Sequence, residues 1–198
     1  MPTILSFDLD GVLVEADFNT YSQIKEKYGQ VSKEMLTFFR NRRPRQDFYP
    51  ELFDWIKTVP SKGGRVVFTS ARGGWLEPTT CNWLDQYRLF GAIWLLTGWK
   101  DKGKCLKINY PNCTIIHVDE DPRIIEVMRS EDGIDVVPVY LKSWEDIYAV
   151  RPKLKEECHK TWQTLTAALD EKLAANKFQP HRYLNPWRVP SKQSTQFS

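Results

Sequence analysis

The chain has 198 residues, 41% of them apolar, enough for one domain with a sizeable core. A net charge of +3 is too small to imply nucleic-acid binding by itself. No apolar run approaches the length of a membrane span, and the first residues show no basic segment followed by an apolar one. A soluble, cytoplasmic protein with no membrane partner is therefore expected. Cys81, Cys105, Cys113 and Cys158 show no C-x-x-C spacing and read as buried thiols rather than as a disulfide or zinc framework.

In chain order, the first apolar run, Thr3–Phe7, reads as a strand. Glu15–Asp47 follows as a polar helical insertion, with helices over Tyr21–Tyr28 and Ser32–Arg40. Tyr49–Val59 places Leu52, Phe53, Ile56 and Val59 on one helical stripe, which Gly63-Gly64 stops. Arg65–Phe68 is the second strand, and Pro78–Tyr87 is a helix opened by proline. Ala92–Leu96 is the third strand, and Lys102–Ile108 a short helix. Thr114–Val118 is the fourth strand, Pro122–Arg129 a helix, and Val136–Tyr140 the fifth strand. Leu154, Cys158, Trp162, Leu165, Leu169 and Leu173 recur at near-helical spacing, so Pro152–Lys177 reads as one long helix packed on the domain.

Most of the strands are apolar on successive residues, as parallel strands covered on both faces are. Strand–helix alternation gives an α/β fold: a doubly wound, mainly parallel, five-stranded Rossmann-like sheet. It carries a small helical insertion after strand one and a long C-terminal helix. The expected organisation is a domain over residues 1–150 with a cap over about 15–47, the helix to 177, and a tail over 178–198. That tail is basic and aromatic, with Arg182, Arg188 and Lys192 among Phe178, Tyr183, Trp187 and Phe197.

Chemistry gathers where strands end. Asp8 and Asp10 stand two apart in Phe7-Asp8-Leu9-Asp10-Gly11-Val12-Leu13, so a strand projects both carboxylates to one side. Two such carboxylates call for a divalent cation or a shared proton. Gly11 lets the backbone turn and a ligand approach. Strand two ends Thr69-Ser70-Ala71-Arg72, where hydroxyls and freed N–H groups make a phosphate seat and Arg72 offers a planar fork. Strand four ends Asp119-Glu120-Asp121-Pro122, a run of acids that calls for a cation. Asp101-Lys102-Gly103-Lys104 lies after strand three, where Lys102, or Lys104, can neutralise the acids and hold a phosphoryl oxygen.

These four signals, in this order, resemble the motifs of the haloacid dehalogenase-like hydrolase superfamily from about Thr3 to Asp146, roughly three quarters of the chain. An aspartate at the second position of D-x-D is the mark of its phosphatases and phosphotransferases, not of its dehalogenases. The resemblance implies a phosphoric monoester phosphatase with Asp8 as nucleophile, Asp10 as general acid and base, and Lys102 as the motif lysine. Thr69, Ser70, Arg72 and Gly11 then bind the phosphate. Mg²⁺ is held by Asp8, Asp10 and Asp119, with Glu120 (or Asp121) as the second acid of the pair. Glu120 departs from the aspartate found in many members.

Only Glu15–Asp47 can serve as a lid, and it carries Arg40, Arg42, Arg43 and Arg45, expected to face the site entrance and dock an anionic substrate. The D-E-D-P-R run and the S-A-R turn are also similar to the phosphatase half of polynucleotide kinase-phosphatases, although no kinase P-loop is present. The expected substrate is a nucleotide or a phosphorylated nucleic-acid end, with a small-metabolite phosphate as the alternative. A non-catalytic module binding nucleic acid or protein is the reading of another class.

Overall fold

The computed structural model describes residues 1–96 and 98–176. The elements run β1 (Thr3–Asp8), α1 (Phe18–Tyr28), α2 (Lys33–Arg40), α3 (Glu51–Thr58), β2 (Arg65–Ser70), α4 (Glu77–Gln86) and β3 (Ala92–Leu95). They continue with α5 (Lys102–Asn109), β4 (Thr114–Asp119), α6 (Pro122–Arg129), β5 (Ile134–Pro138), α7 (Glu145–Val150), α8 (Pro152–Glu157) and α9 (Trp162–Ala175). The basic aromatic tail of 178–198 lies outside the described residues.

The strands form one five-stranded sheet in the order β3-β2-β1-β4-β5. Every pairing is parallel. Side chains alternate between its faces. Leu5, Phe7, Phe68, Ile116 and Val118 point to one face, covered by α3, by Trp83 and Leu84 of α4, and by Leu165 and Leu169 of α9. Ile4, Val67 and Ile115 point to the other, covered by Leu106 of α5, Ile124, Ile125 and Met128 of α6, Tyr148 of α7 and Leu154 of α8. Each fully buried Leu, Ile or Phe contributes about 1.5–3 kcal/mol.

Side-chain caps start several helices. Asp17 accepts the Thr20 N–H at 3.1 Å and Ser32 that of Met35 at 3.1 Å. Asp121 accepts that of Arg123 at 2.9 Å. Each satisfies one otherwise orphaned donor.

The predicted helix over Pro152–Lys177 is not continuous. α8 ends at Glu157, and Cys158–Thr161 is extended: His159 bridges Val139, its N–H donating to the Pro138 carbonyl at 3.0 Å. Thr161 then caps α9, accepting the Thr164 N–H at 3.4 Å. Leu154 and Cys158 pack on one face of the sheet, Leu165 and Leu169 on the other. No straight helix can bury both sets, so the chain crosses the β5 edge between them. The same crossing draws Val139 and Tyr140 out of the fifth strand, which ends at Pro138. α7 was not foreseen. All four cysteines are free, but only Cys158 is buried, not all four as expected.

The insertion leaves and returns through a narrow stem. Val14 bridges Pro44 in antiparallel fashion, the Glu15 N–H donates to the Arg43 carbonyl at 3.0 Å, and that of Arg45 to Leu13 at 2.9 Å. Met35 and Phe39 of α2 pack on Leu76 beside α4, which leans the insertion over the end of β2. No helix among the described residues is long and apolar enough to cross a membrane.

Candidate active site

Parallel pairing brings the carboxyl ends of β1, β2 and β4 together, and the strand register sets Asp8 opposite Thr69. After Asp8 the chain coils tightly: the Gly11 N–H donates to the Val14 carbonyl at 2.7 Å and that of Leu13 to Leu9 at 3.0 Å. Gly11 has φ +97°, a backbone that side-chain-bearing residues rarely adopt. A Cβ there would stand 2.5 Å from Glu120 Cδ. The glycine makes room for that carboxylate.

Lys102 opens α5 and is 1% exposed. Its Nζ donates to Asp8 Oδ1 in a short contact and to Asp119 Oδ2 at 2.9 Å. Asp119 Oδ1 accepts the Asp121 N–H at 2.9 Å. His117 Nε2 lies 2.9 Å from Asp119 Oδ2, and His117 Nδ1 lies 2.9 Å from Ser6 Oγ. Burial lowers the His117 pKa, keeping the imidazole neutral, despite the raising effect of Asp119. A neutral ring beside an ionised Asp119 donates from Nε2 and accepts the Ser6 hydroxyl at Nδ1. His117 and Ser6 were missed in the sequence. The available signal was a histidine two residues before Asp119 on the same strand face.

Charge is not balanced here. Burial penalises Lys102, but Asp119, Asp8 and Glu120 more than offset it, and the ammonium stays charged. Burial opposes ionisation of Asp119 too, and Lys102 and His117 hold it below the ordinary carboxylate range. One ammonium thus balances one carboxylate. The remaining two are pushed up: Asp8 to about 7, by burial and by Asp119 and Asp10 against the pull of Lys102. Glu120 rises well above its usual value, by burial and by Asp119 and Asp8.

No three His, Cys, Asp or Glu side chains among the described residues converge as a ready metal-ligand set, since the Lys102 ammonium stands between Asp8 and Asp119. The donor chemistry nevertheless fits a hard divalent cation. Glu120 is 4% exposed and its Oε2 is buried with no hydrogen-bond partner, beside two further carboxylates. Asp121 is spent on the cap of α6 and on Arg123, whose Nη2 lies 2.5 Å away.

The other expected residues divide. Lys104 is exposed and Lys102 is the lysine that reaches the acids. Thr69 is fully buried and donates to the Phe7 carbonyl at 3.3 Å. Ser70 Oγ accepts the Arg72 N–H at 3.2 Å. Arg72, expected to offer phosphate a free fork, is instead engaged: its Nε and Nη2 grip both oxygens of Asp10 at 2.8 and 2.6 Å. Its Nη1 donates to Thr80 at 3.1 Å, and Phe39 lies against the guanidinium. Arg72 therefore orients Asp10.

The arginine cluster also divides. Arg45 does not face the entrance: it is buried, donating to the carbonyls of Gly11 at 2.7 Å and Tyr140 at 2.6 Å and pairing with Asp47 at 2.8 Å. Arg40 and Arg43 are exposed. Arg42 lays its guanidinium 4.8 Å from the Phe38 ring centroid, and burial lowers its pKa against the raising effect of Asp10. An unforeseen group stands at the ends of β3, β4 and β5. The Arg123 guanidinium lies 5.8 Å from the Trp99 ring and 5.3 Å from that of Trp144, and Phe18 of α1 meets Trp144 at 5.1 Å.

The five-stranded parallel sheet flanked by helices is the fold of solved haloacid dehalogenase-like hydrolases. The chain is similar to a haloacid dehalogenase-like hydrolase from Burkholderia xenovorans LB400, at TM-score 0.52 and 14% identity over 81% of this chain and 90% of that one. It is similar to a haloacid dehalogenase-like family hydrolase from Xanthomonas campestris, at TM-score 0.50 and 10% identity over 89% and 95%. It is also similar to a chain of the Pnkp1/Rnl/Hen1 RNA repair complex, at TM-score 0.51 and 15% identity over 72% of this chain and 44% of that one. The chain thus spans less than half of that longer protein. Comparison with protein-family models and with curated proteins finds no match.

Proposed function

We propose that this chain is a Mg²⁺-dependent phosphomonoester hydrolase working through an aspartyl-phosphate on Asp8, with a nucleotide or a nucleic-acid-end phosphate as substrate. The observation that carries it is the buried cluster of Asp8, Asp119 and Glu120 sharing one ammonium, with an orphaned acid oxygen, at the carboxyl edge of the sheet. Asp8, the Asp10 carbonyl, Asp119 and Glu120 would hold the ion. When bound it supplies positive charge that screens the repulsion between a carboxylate nucleophile and a phosphate.

Asp8 attacks phosphorus and takes the phosphoryl group while the P–O bond to the leaving group breaks. Asp10, aimed by Arg72, gives the leaving oxygen its proton and then takes one from the water that hydrolyses the aspartyl-phosphate. Lys102 meets charge developing on the equatorial oxygens. Ser6 and His117 hold Asp119 in place from below. The nucleotide reading draws on the aromatic–guanidinium group of Phe18, Trp144, Arg123 and Trp99, which suits a base stacked beyond the reacting nucleotide, and on the fold shared with a repair-complex chain.

The decisive experiment is phosphate release from p-nitrophenyl phosphate with and without Mg²⁺, followed by a screen of nucleotides, sugar phosphates and end-phosphorylated oligonucleotides. Asp8→Asn should lower kcat by about a thousandfold or more with the fold intact. Full turnover in that variant overturns the mechanism. A wild-type protein inert on every substrate points to the non-catalytic binding module.

A further inference from the structure

Arg42 stands on the stem by which the insertion returns to the sheet. Its carbonyl accepts the Trp83 indole N–H at 2.9 Å, which pins its backbone to α4. Its guanidinium lies 4.8 Å from the centroid of the Phe38 ring. The side chain is 9% exposed, and its Nε is buried with no hydrogen-bond partner. The Asp17 carboxylate is 3.6 Å from Nη1, beyond hydrogen-bond range. Asp17 is already engaged by its other oxygen in capping α1.

A buried guanidinium with an empty donor is costly unless something fills it. Arg42 also lines an open cavity of about 570 Å³ between α1 and α2. Ile24, Tyr28 and Phe38 give that cavity an apolar and aromatic wall, and Thr37 and Asn41 add neutral polar groups. Its charged lining is Arg42 and Lys33 against Asp17 and Glu34. The cavity therefore has no net charge of its own. It suits one anion at the Arg42 end and a neutral, partly aromatic body beyond it. The Arg42 end of the cavity is tied to the site by packing: Arg42 lies on Phe38, Phe38 meets Phe39 at 5.1 Å, and Phe39 lies on the Arg72 guanidinium that grips Asp10.

We propose that Arg42 receives a second phosphate carried by the substrate's leaving group, with the attached nucleoside in the cavity between α1 and α2. The inference rests on the phosphatase reading and narrows its substrate class. A nucleoside monophosphate has no second anion. A nucleoside 3′,5′-bisphosphate has one, and so has a phosphorylated oligonucleotide end, through its neighbouring phosphodiester. A guanidinium fork reads such a group better than an ammonium does.

The test compares kcat/KM for adenosine 3′- and 5′-monophosphate, adenosine 3′,5′-bisphosphate, and dinucleotides phosphorylated at either end. Wild type should prefer the substrates with a second phosphate at least about tenfold, and Arg42→Gln should remove that preference chiefly through KM. A preference for the bisphosphate alone identifies a free nucleotide. A preference for the dinucleotides identifies a nucleic-acid end. Arg42→Lys, which keeps the charge without the fork, should recover only part of the preference and serves in place of Arg42→Gln should that variant not fold. Equal loss on all substrates, or equal wild-type turnover of substrates with and without a second phosphate, overturns the proposal. Calorimetric titration with adenosine 3′,5′-bisphosphate separates the two readings. Binding weakened about tenfold or more in Arg42→Gln supports the Arg42 site even in a protein that turns over nothing, and unchanged binding refutes it.

Discussion

Gly11 and Glu120 are made for each other. The glycine has no Cβ where the Glu120 carboxyl sits, and its φ of +97° disfavours any other residue. Gly11→Ala should therefore displace Glu120 and destabilise the fold by about 1–3 kcal/mol, read as a lower urea midpoint, with the Mg²⁺ requirement for turnover raised. The two surplus carboxyls make a second prediction. Asp8 is raised from 3.8 to about 7, so the folded state holds that proton more tightly than the unfolded chain. The metal-free protein then loses stability as pH climbs from about 4 to about 7, and Glu120 adds in the same direction. Asp119, held low, acts the other way only below the ordinary carboxylate range, and His117 and His159, lowered by burial from 6.5, act the other way up to about that pH. Urea melts of metal-free protein should therefore weaken from about pH 6.5 to about pH 7.5, where the histidines no longer titrate, and saturating Mg²⁺ should flatten the trend. A metal-free midpoint that rises over that span contradicts the surplus-charge account.

The insertion is held at its base by a single side chain. Arg45 ties the base of its stem to the Gly11 carbonyl, to Tyr140 beyond β5 and to Asp47. It joins the loop after β1 to the far side of the site. Its removal leaves buried acceptors without donors, so Arg45→Met should cost about 2–4 kcal/mol. Hydrogen exchange should show the loss first in the stem and in the loop after Asp8, and uniform exchange across the sheet would contradict that order. α2 has a different tie: its Phe39 lies on Arg72, so movement of the insertion reaches Asp10 through one guanidinium.

For the whole molecule, the crossing at Cys158–Thr161 matters most. α8 and α9 close opposite faces of the sheet, and the bridge between Val139 and His159 pairs the chain just past the end of β5 on the way. Leu165 and Leu169 are fully buried. Leu169→Ala should lower stability by about 2–5 kcal/mol, measured by chemical denaturation. A loss under about 0.5 kcal/mol would mean that α9 is a surface appendage.

Local patterning was enough to find five strands, though not the bounds of the fifth, which runs Ile134–Pro138 rather than Val136–Tyr140, and it gave the α6 boundaries and the acid pair at Asp8 and Asp10, because side-chain period and turn residues act over a few positions. It placed Lys102, Asp119 and Glu120 at one sheet edge, since parallel strands with helical crossovers leave their carboxyl ends together. It could not separate Lys102 from Lys104, which differ only in which way the first turn of α5 faces. It gave Arg72 to phosphate because nothing local shows that Asp10 lies across from it. It read Leu154 to Leu173 as one stripe, since i+3 and i+4 spacing is the same whether a helix continues or breaks to cross an edge. Arg45, Arg42 and His117 are of the same kind. Their roles are set by partners 34, 95 and 111 residues away, or by a cavity between two helices, and only the folded chain brings these together.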